Sequence, residues 1–150
     1  MNPQKGFTLI ELLVVVAIIG MLISIILVGM GTARQKSRDA RRLSDMQQIM
    51  SGLALYFSAA SGYPDAALWN NLQTSSGTLE CNGTVFFKVP NDPNPSEDYI
   101  YATGGVSRPG CGGTVWNNFY IQFQTEHETS IGPAGTYYLS PRGFTNTPPF

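Results

Sequence analysis

The sequence predicts an α+β chain: a long N-terminal helix, membrane-spanning in its first half, packed on a small antiparallel β-sheet head. Three observations predict it. Leu12 to Ala33 is a run of 22 residues without a charge. Farther on, Leu43, Met46, Ile49/Met50, Leu53 and Tyr56/Phe57 recur every three or four positions, the spacing of one helix face. Beyond Gly62 the composition changes, with nine of the ten prolines and short aromatic, β-prone runs between turn signals. At 150 residues this is one domain with an appendage.

The chain divides by composition into residues 1–6, 7–33, 34–61 and 62–150. The first segment is short and carries one base, Lys5. As a helix, Leu12–Ala33 would extend about 33 Å, against a hydrocarbon core near 30 Å. Glu11 stands at the mouth of this run. A carboxylate at a bilayer centre costs roughly 2.5–3.5 kcal/mol on insertion scales, and less near the end, so Glu11 calls for a cationic partner. Ala17, Gly20, Ser24 and the pair Gly29/Ala33 place small residues at near four-residue spacing, consistent with close helix approach in lipid. Two other readings stay open. Secretory signals have apolar regions of about 7–15 residues and no acid, but Gly31-Thr32-Ala33 would pass as a cleavage site. A plain anchor would keep its first residues. Positively charged flanks, Lys5 before the run against five bases just after it, would by themselves put the N-terminus outside.

No proline interrupts residues 4–63, and Gly62-Tyr63-Pro64 supplies a stop, because Pro64 disfavours helical geometry at Tyr63. Phe7 to Ala59 as one helix would be about 80 Å long. Arg42, Ser44, Asp45, Gln47 and Gln48 fall between the stripe positions and read as its solvated side.

In the head, strands are expected at Thr84–Val89, Tyr99–Thr103, Val115–Thr125 and Thr136–Ser140, three or four of them forming one sheet over the helix stripe. Residues 90–95 and 107–114 read as loops. With fewer than 100 residues outside the helix, the core is modest. Cys81 and Cys111 lie far from any other metal-ligating cluster, and the one histidine, His127, is isolated. In an exported chain a disulfide between them would close a loop of about 30 residues, worth about 3 kcal/mol; two buried thiols are the alternative.

Charge excludes some functions. Beyond residue 59 three bases face seven acids, which disfavours direct nucleic-acid binding by the head. Asp92-x-Asn94-x-Ser96-x-Asp98 alternates like calcium ligands but lacks the turn glycine and bidentate acid, so no metal is expected. Glu126-His127-Glu128 reads as a solvated turn, and Asn82-Gly83-Thr84 as a chance glycosylation sequon. No nucleophile–base set or phosphate loop stands out. The expectation is no enzyme, no catalytic residue and no cofactor.

Gly6-Phe7-Thr8-Leu9-Ile10-Glu11 resembles the start of the type IV pilin superfamily: a short basic leader ending in Gly, then Phe, then an acid five residues into the mature chain. The stretch Tyr56–Pro64, with Val89–Pro93 and Tyr99–Tyr101, is similar to the major pseudopilin of type II secretion and related small pilins. The resemblance implies cleavage of leader 1–6 between Gly6 and Phe7 by a prepilin peptidase/methyltransferase and N-methylation of Phe7. It implies that Glu11 pairs with the Phe7 ammonium of a neighbouring identical subunit and so sets the register of a helical homopolymer. An inner-membrane assembly platform, an ATPase and, before assembly, membrane lipid are the other implied partners. It places the chain in the inner membrane with one pass and the head outside, opposite to the flank charges, then in a surface or periplasmic filament.

Three departures bear on the kind of filament. Val28 stands where many pilins have a proline, nothing after Glu128 is an acid where major pseudopilins usually carry a calcium loop, and the cysteines sit mid-head. The expectation is a type IV pilus-like surface filament subunit. A type II secretion pseudopilin is the alternative, and a membrane-anchored extracytoplasmic binding domain the alternative of another class.

Overall fold

A computed structural model describes residues 6–75, 77–111 and 113–150, the side chains of Leu27 and Val28 excepted. Residues 1–5 of the expected leader lie outside the described residues, as does the Val28 side chain. The principal element is α1, Leu9–Ala60, 52 residues. Thr8 precedes it, and its C-terminus is closed by the Ser61 N–H donating to the Phe57 carbonyl at 2.8 Å. Ser61 adopts φ 58°, a left-handed conformation that ends a helix just ahead of Gly62 and Pro64.

By internal contacts the chain forms two compact units, one up to Gln35 and one from Lys36 onward. In the first, α1 is the one described element. Its Leu9–Ile26 stretch has mean hydropathy 3.0, and none of it is buried. The polar side chains here bond within the helix, Ser24 Oγ donating to the Met21 carbonyl at 2.7 Å and Thr32 Oγ1 to the Gly29 carbonyl at 3.1 Å. Such back-bonding satisfies a hydroxyl where water is absent.

The second unit is the α+β head. Its sheet contains β1 (Tyr63–Pro64), β4 (Ile100–Gly110), β5 (Gly113–Thr125), β6 (Gly135–Ser140) and β7 (Gly143–Thr145), in the order β1-β5-β6-β7 with β4 also paired to β5. All pairings are antiparallel. In β5, Val115, Phe119, Ile121, Phe123 and Thr125 are buried, the alternation of a strand with one face on a core. Met46, Ile49, Leu53, Tyr56 and Ala60 of α1 meet that core, at the helical spacing expected.

The structure corrects the sequence expectations in several places. The expected loop over 107–114 is largely strand, residue 112 lying outside the described residues: β4 and β5 pair up to Gly110 opposite Gly113, with a register shift between Gly104 and Ser107. A second helix, α2 (Ala66–Ser75), was not expected; Asp65 caps it, accepting from the Ala67 N–H at 2.8 Å. Its Trp69 is fully buried, stacked on Tyr101 with ring centroids 4.5 Å apart. Nor is there one sheet. β2 (Thr78–Cys81) and β3 (Thr84–Lys88) form a separate hairpin whose two-residue turn, Asn82-Gly83, has φ of 50° and 79°. Asn-Gly is the pair that accepts two positive φ values, so this turn was readable in the sequence. The largest correction concerns polarity. Arg42, placed by spacing on the wet side of the helix, is 0% exposed.

Candidate functional site

The first candidate site is the start of α1. Its geometry follows from Thr8-x-x-Glu11, a capping box. Four N–H groups at a helix N-terminus lack intrahelical partners. Here the Glu11 N–H donates to Thr8 Oγ1 at 3.3 Å, while Glu11 Oε2 accepts from the Thr8 N–H at 2.9 Å and from Thr8 Oγ1 at 2.7 Å. A carboxylate at this position also faces the positive end of the helix dipole. Thr8 and Glu11 thereby hold each other, and Oε1 has no partner among the described residues. Sequence reasoning singled out Glu11 and missed Thr8, although Thr-x-x-Glu ahead of an apolar run is the signal for the box. Phe7, 83% exposed, and Gly6, with open space around its Cα, adjoin it in the chain.

Around this polar tip the side chains are apolar and unburied: Leu9, Ile10, Leu12, Leu13, Val14 and Val15, followed by more of the same to Ile26. At ~25 cal/mol per Å², such a surface is stable only in contact with lipid or other apolar helices. Glu11 is the one formal charge described within it.

The second site lies in the head. The Arg42 guanidinium donates through Nε and Nη2 to Asp92 at 2.7 and 2.8 Å, through Nη1 to Asp39 at 2.9 Å and Glu126 at 3.0 Å, and through Nη2 to Glu97 at 2.9 Å. Arg38 adds a fork to Glu126, at 2.7 and 2.5 Å. Asp39 in turn accepts from the Glu126 and His127 N–H groups at 3.0 and 2.8 Å, and Asp92 Oδ1 from the Asn94 N–H at 2.7 Å. One guanidinium therefore joins α1, the loop after β3 and the turn after β5. Burial pulls the Arg42 pKa down, but the bonds and charges of Asp92 and Asp39 outweigh it and hold the group well above its ordinary value. The Arg38 hydrogen bonds, opposed by burial and aided by Arg42, hold Glu126 at about 2. Burial raises Asp45 above the usual carboxylate range, against the hydrogen bond it accepts from Tyr99 and the charge of Arg41.

This cluster overturns the reading of residues 126–128. Glu126 is an ion-pair partner of Arg38 and Arg42, not part of a merely solvated turn, and Asp92, the first member of the calcium-like pattern, is occupied by Arg42. No group of metal-ligating side chains occurs among the described residues. Asp39 lies one helical turn from Arg42, but Asp92, Glu97 and Glu126 lie 50 to 88 positions from the arginines they bond, where no local signal could find them.

Cys81 and Cys111 are bonded, with Cα atoms 5.5 Å apart. Cys81 ends β2 beside the Asn82-Gly83 turn and Cys111 follows β4, so the bond ties the tips of two hairpins belonging to separate sheets. These cysteines and the Gly6–Glu11 segment belong to different units.

Comparison with known proteins bears on both units. The family model for the prokaryotic N-terminal methylation motif matches residues 1–30. The type II secretion system core protein G of Klebsiella pneumoniae is 26% identical over 110 residues, 69% of this chain and 79% of that one. Its namesake in Vibrio cholerae serotype O1 is 28% identical over 120 residues, 77% and 78% of the two chains. That of Dickeya chrysanthemi is 34% identical over 61 residues, 41% and 40%. No solved structure matches.

Proposed function

We propose that the chain is a type IV pilin-like protein, similar to the major pseudopilin of type II secretion, and the structural subunit of a pseudopilus. This reverses the order of the sequence expectation, which put a surface pilus first: the relatives are core protein G of type II secretion. The observation that carries the subunit role is the unburied apolar stretch Leu9–Ile26 with its single carboxylate at the tip. Lipid covers that surface before assembly and the same stretch of neighbouring copies covers it afterwards, so one apolar environment replaces another.

In this reading a prepilin peptidase cuts between Gly6 and Phe7 and methylates the new amine. Thr8 stays behind the cut, so the capping box survives processing. Oε2 of Glu11 remains held by Thr8 while Oε1 accepts from the Phe7 ammonium of an adjacent subunit. Either charge alone would be penalised in an apolar surround, and together they compensate. Since donor and acceptor sit on different faces of the contact, it does not close on itself and makes a fibre. The head stays outside the inner membrane, in the periplasm. An assembly platform and its ATPase drive the polymerisation, and the role is structural, not enzymatic.

Intact mass spectrometry of sheared-surface and membrane fractions tests this. A chain beginning at singly methylated Phe7, found with membranes and absent from the surface fraction, is the expected result. Abundant processed chain in the surface fraction would replace the pseudopilus by a surface pilus, and a chain retaining residues 1–6 would overturn both.

A further inference from the structure

The turn between β2 and β3 carries a motif that filament assembly does not use. Asn82-Gly83-Thr84 has the form Asn-x-Thr, the acceptor signature for a saccharide on the asparagine amide. The other Asn-x-Ser/Thr in the chain, Asn94-Pro95-Ser96, has the middle proline that excludes transfer. A three-residue match alone is readily met by chance, but its surroundings here are those of an acceptor. Asn82 and Gly83 form the two-residue turn, and Glu80, Asn82 and Thr84 are all exposed. None of these three side chains makes a hydrogen bond or ion pair among the described residues, so the Asn82 amide is free. A Cβ placed on Gly83 would meet nothing within 4 Å, so the middle position is open as well.

We propose that Asn82 is N-glycosylated in the exported chain. Glu80 stands two residues ahead of it, where oligosaccharide transferases of bacteria engage a carboxylate with a cation of their own, and the relatives of this chain are bacterial. Acids are sparse, 10 in 150 residues, so one at this spacing is not what chance usually supplies. In the transfer the Asn82 amide nitrogen attacks the anomeric carbon of a saccharide carried on a polyprenyl pyrophosphate. The N–C bond forms as the C–O bond to phosphate breaks, the amide proton passes to a carboxylate of the transferase, and the lipid pyrophosphate leaves. Nothing is oxidised or reduced. Thr84 supplies the hydroxyl by which the acceptor is held. A two-stranded hairpin is marginal by itself, so before Cys81 is bonded to Cys111 the tip can open to the extended form that an enzyme reads. The product is a bulky, hydrated group on a tip where Val85 is 57% exposed. Transfer rests on the export of the head proposed above, and not on the kind of filament.

The test is intact-mass and peptide-fragmentation spectrometry of the chain purified from the membranes of the cells that make it. A saccharide increment localised to Asn82 is expected. Asn82→Gln and Thr84→Ala lose it, Thr84→Ser keeps it, and Glu80→Gln lowers occupancy about fivefold, the charge share of one charge-assisted hydrogen bond. Asn82→Gln strains a position of φ 50°, and the Thr84 variants, in β3, read the motif without that strain. A bare Asn82 in the parent, or an increment that persists in Asn82→Gln or Thr84→Ala, would overturn the proposal. The same spectra show where the chain begins, so a bare Asn82 on a chain starting at Phe7 would remove the glycan and leave the processing intact.

Discussion

The two halves of α1 are one continuous helix with opposite solvation. From Leu9 to Ile26 its side chains, Glu11 and Ser24 apart, are apolar on every side, and none of them is buried. From Lys36 to Ala60 one stripe is fully buried against the sheet, yet the same half buries Asp39 and Arg42. The comparison separates two ways of satisfying a helix. The head half supplies its own partners, apolar and ionic, and is complete as one chain. The first half has no such partners among the described residues.

Breaking the first half should have the largest effect. Glu11→Gln keeps an acceptor for the Thr8 N–H, because glutamine also serves in a capping box, but removes the charge. Loss of filaments by electron microscopy, with the head's melting temperature unchanged, is expected; normal filaments would remove Glu11 from the register. Next is the head's ionic centre. Arg42→Ala leaves Asp39 and Asp92 buried without their cation and should destabilise the head by about 3–5 kcal/mol in denaturant titration. A loss below about 1 kcal/mol would mean the cluster behaves as an exposed ion pair.

Reduction of Cys81–Cys111 should lower stability by about 3 kcal/mol, since the bond closes a 30-residue separation. An unchanged thermal midpoint in reductant would argue against it. Smallest is the response to acid. Glu126 is held at about 2 in the folded head against 4.5 ordinarily, so the unfolded chain takes up its proton first. Its contribution is full above about pH 4.5 and lost as pH falls toward 2. Asp45, raised, acts with the opposite sign, its contribution falling as pH rises. The thermal midpoint of the parent should therefore drop more between pH 4.5 and 2 than that of Glu126→Gln. Parallel curves would show that Glu126 is not bonded to Arg38 in solution.

Much of the fold was legible because its signals are local. The α1 stop is written in consecutive residues, Gly62-Tyr63-Pro64, and its buried stripe in a three-to-four spacing. The Asn82-Gly83 hairpin and the Thr8–Glu11 capping box are equally local, each carried by residues within one turn. Trp69 is another matter: α2 is ten residues of weak pattern, and stacking on Tyr101 decides its place.

The sequence by itself determined that an apolar helix of membrane length begins beside a lone carboxylate and continues into a helix with one buried face. Composition and period decide both, and both act over a few turns of one helix. Only the tertiary structure decided that Arg42 lies inside, and that Asp39, Asp92, Glu97 and Glu126 surround it. Spacing along α1 assigned Arg42 to water. A buried guanidinium is tolerable only when carboxylates from elsewhere in the chain replace its hydration, and which ones do so is settled by the folded backbone.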